Sequence, residues 1–245
     1  MPSRRTMMLA AGADGTLGCV ASSRVKRQEA SDAVSGLGWR LLLGNLVTQV
    51  RTGSLAQAAE VAAELASGIE SHDHLQIDLR PHRLYLSLSS PDVAFVTARD
   101  LELAREISAK VTGLGLTTDS GGGACGYRPV QLTEICIDAL DISAVRPFWR
   151  AVFGYADEPG PSNGIIDPAG QGPALWFQQM DEPRPQRNRI HFDVSVPHDE
   201  AQRRIEAAVA AGGTVIDDTE APAFWVIADP EGNEVCICTW QGRDP

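Results

Sequence analysis

The chain has 245 residues, enough for two domains of ordinary size, and 43% of them are hydrophobic, which suffices for packed cores. Its formal net charge of -11 argues against a nucleic-acid partner, because phosphate binding needs a cationic face. No apolar run is long enough to cross a bilayer, so no membrane partner is expected. The five cysteines lack the spacing of a disulfide framework, which favours a reducing, cytoplasmic location.

The sequence divides near its middle. Residues 1–28 are predicted to be a flexible tail. The three consecutive glycines at 121–123 would lose too much backbone entropy inside a helix or strand. We therefore predict a glycine-rich linker at 118–129, which separates a domain at 29–117 from a second domain at 130–245.

The first domain alternates strand pairs with helices. Two short strands, 39–43 and 46–51, flank a hairpin-type turn at Gly44. Ser54 then begins a helix, and two alternating strands and a second helix capped by Thr97 follow. This order predicts an α+β sandwich with the helices on one face of the sheet.

Residues 31–116 resemble the pterin-4a-carbinolamine dehydratase family. The resemblance rests on four short motifs in the family order: Gly38-Trp39-Arg40, Glu70 to His74, Ser90-Pro91-Asp92 and Thr97 to Asp100. The family implies a pterin site surrounded by three histidines, which supply the general acid and base for loss of the 4a-hydroxyl group. It also implies self-association, so a homodimer is expected.

The sequence departs from this histidine set. Where the family has two adjacent histidines the chain reads His74-Leu75, and the third position reads Pro91, so one histidine of three is retained. Leucine and proline cannot transfer a proton, and general acid–base catalysis contributes about 10²–10⁴-fold to a rate. We therefore expect dehydratase activity to be weak or absent, with His74 as the remaining catalytic candidate. A role in dimerisation or ligand sensing would survive the loss.

Residues 130–245 show one supersecondary pattern twice. Each copy reads strand, helix and two or three strands, with the copies beginning near Glu134 and Ile190. The first helix stops at Gly154 and the second at Gly212–Gly213, since glycine readily takes the left-handed conformation that ends helices. Two βαβββ modules in tandem are therefore predicted, and the whole chain is expected to be an α+β protein.

This arrangement resembles the vicinal-oxygen-chelate superfamily and, within it, the glyoxalase-like branch. The resemblance spans about Gln131 to Trp240. It is carried by motifs in the family order: Asp141, Phe148-Trp149, Phe153-Gly154-Tyr155, Phe177-Gln178, Asn188 to Asp193, Gly212-Gly213-Thr214 and Asp229 to Cys236. The superfamily implies a curved sheet whose concave face holds a metal or a ligand. Function follows from that site and not from the fold.

Strand parity predicts which side chains line the concave face, because residues two apart on a strand share a face. The apolar set should meet the helices: Ile135, Ile137, Phe192, Val194, Val235 and Ile237. Eight polar or thiol side chains are left for the concave face: Glu134, Cys136, Asp138, His191, Asp193, Glu234, Cys236 and Cys238.

The resemblance implies metal ligands from the first, fourth, fifth and eighth strands of the domain. Glu134 matches the first position and His191 the fifth-strand histidine, whereas Cys236 stands where a glutamate is usual. The fourth-strand carboxylate has no clear equivalent, Gln178 or Gln179 being nearest. A divalent metal held by Glu134, His191 and Cys236 is thus the cofactor hypothesis. A thiolate at Cys236 would favour Zn²⁺ over Mg²⁺, Mn²⁺ or Ni²⁺.

Electrostatics constrains this concave face. Two carboxylates ~4 Å apart repel by ~4 kcal/mol at an effective dielectric constant of ~20. If Glu134 and Asp193 converge, a metal, Arg189, a protonated His191 or one neutral carboxyl group must offset the repulsion. A neutral carboxyl group suits proton transfer on a small carbonyl compound, whereas neutralisation by Arg189 suits binding without catalysis.

Three functions remain open from the sequence. The first is a small-molecule enzyme of lyase or isomerase type, with His191 and Glu134 as acid, base or metal ligands. The residues assigned to substrate binding are Asp193, Arg189, Trp176, Gln178 and Glu234. The second is a non-catalytic protein that binds or sequesters a small molecule. The third is residual pterin dehydration through His74 in the first domain.

Overall fold

The computed structural model describes residues 23–121, 129–160, 162–183, 190 and 192–242. Two separate hydrophobic cores lie in this part of the chain. The buried residues of the first run from Ala30 to Val111, and those of the second from Ile137 to Ile237. One core therefore lies on each side of the glycine-rich segment. None of the described helices is both long and apolar enough to span a membrane.

The N-terminal part combines one antiparallel sheet with helices. Its elements are α1 (Arg27–Ser35), β1 (Arg40–Leu42), β2 (Asn45–Arg51), α2 (Leu55–Gly68), a 3₁₀ turn (His72–His74), β3 (Leu75–Arg80), β4 (Arg83–Leu88), α3 (Ala98–Gly113) and β5 (Thr118–Asp119). The strand order is β1–β2–β4–β3, with β5 paired to β2. The helices cover the sheet face that carries the core.

Local sequence signals explain most of these elements. Along β4, Leu84, Leu86 and Leu88 are buried while the intervening side chains are half-buried, as the two-residue period requires. The hydroxyl of Ser54 accepts a hydrogen bond from the amide of Gln57 and so caps α2. Thr97 begins α3 with a complete capping box. The predicted α+β sandwich is confirmed.

Two elements of this domain extend into segments for which the sequence predicted a tail and a linker. Helix α1 begins at Arg27, within the predicted tail, and anchors itself through the buried Ala30 and Val34. Thr118 and Asp119, assigned to the linker, pair with Val50 and Gln49 of β2. The fifth strand therefore extends the sheet into the segment predicted to be a linker.

The C-terminal part contains two copies of one module. Its elements are β6 (Glu134–Ala139), α4 (Ile142–Phe153), β7 (Ala156–Asp157), β8 (Ile165–Ile166), β9 (Ala174–Gln179), β10 (Asp193–Ser195), α5 (Ala201–Ala210), β11 (Thr214–Asp217), β12 (Phe224–Ala228) and β13 (Glu234–Cys238). They form two four-stranded sheets, ordered β6–β9–β8–β7 and β10–β13–β12–β11. In each module the first strand along the chain pairs in parallel with the last: β6 with β9, and β10 with β13. The predicted tandem of βαβββ modules is confirmed.

The apolar side of both sheets packs against α4 and α5. Ile137, Val235 and Ile237 are buried there, and the other predicted apolar residues pack against the same core: Ile135, Phe192 and Val194. Helix α4 ends at Gly154, whose φ of +69° lies in the left-handed region that a side chain disfavours. The parity prediction for the described strands is therefore correct on the core side.

Candidate functional site

The polar side of β6 and β9 forms a continuous surface, called here the β6–β9 face. Its members are Glu134, Cys136, Asp138, Trp176 and Gln178. The parallel register places Cys136 opposite Trp176 and Asp138 opposite Gln178. The core-side neighbours Ile137, Leu175 and Phe177 point the other way and are buried. Directly opposed residues share a sheet face, so these five side chains belong to one surface.

Contacts tie the centre of this face together. The Cys136 thiol lies 3.9 Å from Oδ1 of Asp138 and 4.0 Å from Oε1 of Gln178. Desolvation, and then the charge of Asp138, raise the pKa of Cys136. The thiol is therefore held in its protonated form at neutral pH. Trp176 retains 39% of its surface exposed, so part of its indole ring is open to solvent.

Glu134 stands at the start of β6, at the edge of the β6–β9 face. Desolvation raises the pKa of its carboxyl group, and the negative charge of Glu158 raises it further. Glu158 itself accepts a hydrogen bond from the hydroxyl of Ser162. Because both effects disfavour the charged form, Glu134 keeps its proton to a higher pH than an ordinary glutamate. This is the property expected of a group that exchanges protons with a ligand.

The polar side of β13 forms a second group. Asp193 lies opposite Cys236 in the parallel β10–β13 pair, and Glu234 and Cys238 share that side of the strand. Cys236 is only 2% exposed, and burial raises its pKa to about 11, with further increases from the charges of Cys238 and Asp193. Parity thus placed Cys236 on the correct side, but the thiol is covered and neutral. The metal hypothesis requires the ionised form of this thiol.

The described residues cover only part of the predicted metal set, Glu134, His191 and Cys236. No group of three His, Cys, Asp or Glu side chains that could hold a metal occurs within the described ranges. Gln179, a candidate for the fourth-strand position, donates instead to the carbonyl oxygens of Leu140 and Met180. Two predicted site residues, His191 and Arg189, lie outside the described residues.

His74 belongs to a buried polar network in the first domain. Its Nδ1 lies 2.8 Å from Oδ1 of Asp100 and 3.3 Å from the hydroxyl of Ser90. Oδ2 of Asp100 accepts from the Ser90 hydroxyl at 2.7 Å and from the amide of Thr97 at 2.7 Å. Asp100 and Ser90 are fully buried, whereas the His74 side chain is 19% exposed. The carboxylate therefore orients a ring that solvent can reach.

Sequence reasoning found His74 but gave Asp100 no role in the site, naming it only as the end of the Thr97 to Asp100 motif. The structure shows that one oxygen of Asp100 closes the capping box while the other contacts the imidazole. The signal was present in the sequence, because Asp100 ends one of the four motifs on which the family resemblance rests. Which group an aspartate contacts beyond its own helix depends on tertiary packing.

Family comparisons agree with the two domains. Residues 23–110 match the family model described as pterin 4 alpha carbinolamine dehydratase, and residues 134–238 match the one described as a glyoxalase-like domain. Both resemblances predicted from the sequence are thereby confirmed. No curated protein matches the sequence.

Solved structures resemble each domain separately. A glyoxalase/bleomycin resistance protein/dioxygenase family enzyme from Burkholderia phytofirmans PsJN is 21% identical and covers 45% of this chain and 98% of its own, with a TM-score of 0.37. A glyoxalase-related enzyme from Fulvimarina pelagi is 24% identical over 46% of this chain and 88% of its own, with a TM-score of 0.33. A transcriptional coactivator/pterin dehydratase from Brucella melitensis is 22% identical over 36% of this chain and 97% of its own, with a TM-score of 0.33.

Proposed function

We propose that this chain, which joins a pterin dehydratase-like domain to a glyoxalase-like domain, acts on a small organic molecule bound at the β6–β9 face. The proposed chemistry is of lyase or isomerase type, with proton transfer at carbon beside a carbonyl group. Glu134 is the proposed general acid or base. The observation that carries the proposal is its raised pKa at the edge of a face with an exposed tryptophan.

The chemistry of the face supports a neutral or weakly polar ligand. Trp176 offers an apolar surface on which a small molecule can lie. Gln178 offers an amide that can donate to a carbonyl oxygen, and Asp138 offers an acceptor for a hydroxyl group. Small-molecule sites use a few placed polar groups beside aromatic or apolar side chains to orient the ligand, and these residues supply both.

Residues predicted from the sequence complete the proposal. His191 is proposed as the second proton-transfer group and Arg189 as a contact for negative charge. Asp193 and Glu234, on the second sheet, are proposed as further polar contacts. A divalent metal, a cytoplasmic location and a homodimer remain predictions from the sequence. The role proposed for Glu134 depends on none of the three.

Binding and turnover separate the two leading functions. Thermal-shift screening of aldehydes, thiol adducts and pterins would identify ligands, since a ligand that binds the folded state raises the melting temperature. Trp176→Ala should reduce the shift for a ligand of the β6–β9 face. Glu134→Gln should preserve the shift and lower turnover of the same ligand. If no bound compound is turned over, the chain is a binding or sequestering protein. Turnover that Glu134→Gln leaves unchanged would reject the role of Glu134.

A second candidate function is residual pterin dehydration in the first domain. The buried Asp100 beside His74 favours it, because a carboxylate that fixes an imidazole makes the ring a better-positioned acid or base. The decay of 4a-hydroxypterin absorbance measures this reaction directly. His74→Ala should abolish any acceleration over the uncatalysed decay, and an acceleration that survives the substitution would reject the assignment.

A further inference from the structure

The surface around Trp176 continues onto the two remaining strands of its sheet. The antiparallel register of β8 and β9 places Gly164 opposite Trp176. The register of β7 and β8 places Glu158 opposite Gly164, and the amide of Glu158 donates to the carbonyl oxygen of Gly164 at 3.1 Å. Directly opposed residues share a sheet face. Trp176, Gly164 and Glu158 therefore form one row across the sheet.

This row lies on the side of the sheet that is turned away from α4. Asp157, the residue before Glu158, points towards that helix, because its carboxylate pairs with Arg146 at 2.8 Å and with Arg150 at 2.9 Å. Side chains alternate along a strand, so the side chain of Glu158 leaves the sheet on the opposite side. The carboxylate of Glu158 and the indole of Trp176 thus belong to the same surface.

The loop between β7 and β8 places the Glu158 carboxylate directly over Gly164. The hydroxyl of Ser162 donates to Oε2 of Glu158 and accepts from the amide of Gly164 at 2.9 Å. A Cβ atom at Gly164 would lie 2.5 Å from the same carboxylate oxygen, closer than real Cβ atoms approach other atoms. The missing side chain of Gly164 therefore makes room for a carboxylate beside Trp176.

An aromatic ring next to a carboxylate selects a particular shape of ligand. The partly exposed indole of Trp176 offers a flat surface on which a planar ring can stack. A carboxylate has two oxygens, each of which accepts more than one hydrogen bond, and it matches two parallel N–H donors. Gln178, also on this face, can donate its amide to a ring carbonyl group. A planar ring with two neighbouring N–H groups on one edge uses all three.

We propose that the β6–β9 face takes a planar heterocycle with two adjacent N–H donors on one edge, stacked on Trp176 and paired with the carboxylate of Glu158. The inference rests on the proposed function, because it names the ligand class of the same site. Pterins and guanine have such an edge, formed by an amino group and the neighbouring ring N–H. Both also carry a ring carbonyl group, which the proposed function requires. The pterin dehydratase-like domain of the same chain makes pterins the first class to test.

Titration calorimetry on the full chain tests the proposal with pterin and guanosine as probes. Their analogues 4-oxopteridine and inosine, which lack only the amino group, should bind about ten- to a hundredfold more weakly, the effect of losing a hydrogen bond to a charged group. Glu158→Gln should weaken binding of pterin and guanosine to the level of these analogues, because an amide cannot accept both N–H donors. Glu206→Gln removes the same charge from an exposed position on α5, the helix on the apolar side of the sheets, and should change binding by less than about twofold.

Gly164→Ala is a second variant, which keeps the carboxylate but displaces it from the backbone, and it should also weaken binding of both probes. Circular dichroism and melting temperature verify that each variant is folded. Tighter binding of pterin than of guanosine would assign the face to pterins, and the reverse order to purines.

The proposal is overturned by three results: neither probe binds saturably, the analogues bind the unmodified chain as tightly as the probes, or Glu158→Gln still prefers the probes over the analogues. The last result is also the one expected if pterin binds only in the first domain. These are measurements of binding, so their failure leaves proton transfer by Glu134 standing. Turnover unchanged in Glu134→Gln, with binding that depends on Glu158, would reject the proposed function alone.

Discussion

Asp100 contacts the imidazole of His74 with one carboxylate oxygen, at 2.8 Å, and closes the cap of α3 with the other. A single fully buried side chain therefore begins a helix and orients a candidate catalytic ring. Stability and site geometry in the first domain depend on the same residue. Any substitution of Asp100 consequently needs a stability measurement before an effect on activity is interpreted.

Replacing Asp100 by alanine is expected to lower the free energy of unfolding by about 2–4 kcal/mol. The change removes a helix cap and leaves the buried donors of Ser90 and Thr97 without their acceptor. Urea denaturation followed by circular dichroism measures the loss. Glu102→Ala, an exposed position on the same helix, is the control and should cost well under 1 kcal/mol. Equal losses in both variants would contradict the account.

Asp229 has an equivalent structural role in the second domain. Its carboxylate accepts from the indole N–H of Trp149 at 3.0 Å and from the amides of Glu231 and Asn233 at 2.9 and 2.8 Å. Asp229→Ala should therefore lower the free energy of unfolding by about 2–4 kcal/mol. Asp181→Ala, at an exposed position, serves as the control. If Asp229→Ala leaves the free energy of unfolding nearly unchanged, this carboxylate does not organise the turn.

The stability of the protein should fall at alkaline pH through Cys236. Its folded-state pKa of about 11 lies above the ordinary thiol value, so folding favours the neutral form. The stabilisation is complete below the unfolded pKa and is lost as pH rises towards about 11. Denaturation curves recorded at pH values between the unfolded-state pKa and about 11 measure how steeply the free energy of unfolding falls with pH. Cys236→Ala should show a shallower fall of stability with pH than the unmodified chain, and an unchanged fall would contradict the assignment.

Burial raises the pKa of Glu134, and the charge of Glu158 should raise it further. Because the charge of Glu158 contributes to the raised pKa of Glu134, Glu158→Gln is expected to lower that pKa. Carboxyl ¹³C chemical shifts recorded over a pH titration report the value directly. Glu206→Gln on the exposed side of α5 is a control that should leave it unchanged. An unaltered pKa in Glu158→Gln would show that desolvation alone sets the proton affinity.

Local sequence patterns predicted most of the fold. The alternation along β4 and β6, the caps at Ser54 and Thr97, and the glycine that ends α4 all encode structure within a few residues. Helix α1 was not predicted. Its core residues Ala30, Ala33 and Val34 do have helical spacing, but two of them are alanines and the helix has only nine residues, so the apolar signal is weak. Strand β5 was not predicted either. It has two residues and exists through its pairing with β2.

Parity predicted which side of each described strand is polar, but not how exposed that side is. Cys136 is exposed on the β6–β9 face, whereas Cys236 occupies the corresponding side of β13 and is buried. The two-residue period fixes the direction of a side chain, while tertiary packing decides what covers it. For this reason the sequence could propose Cys236 as a metal ligand, but only the structure shows that its side chain is covered.

The most direct test of the central claim is deuterium exchange at the carbon beside the carbonyl of a bound ligand, followed by proton NMR in D₂O. The unmodified chain should accelerate the exchange, and Glu134→Gln should lower the rate by about 10²–10⁴-fold while binding persists. Glu206→Gln should exchange at the original rate. Exchange by Glu134→Gln as fast as by the unmodified chain would contradict the assignment of Glu134 as the proton-transfer group.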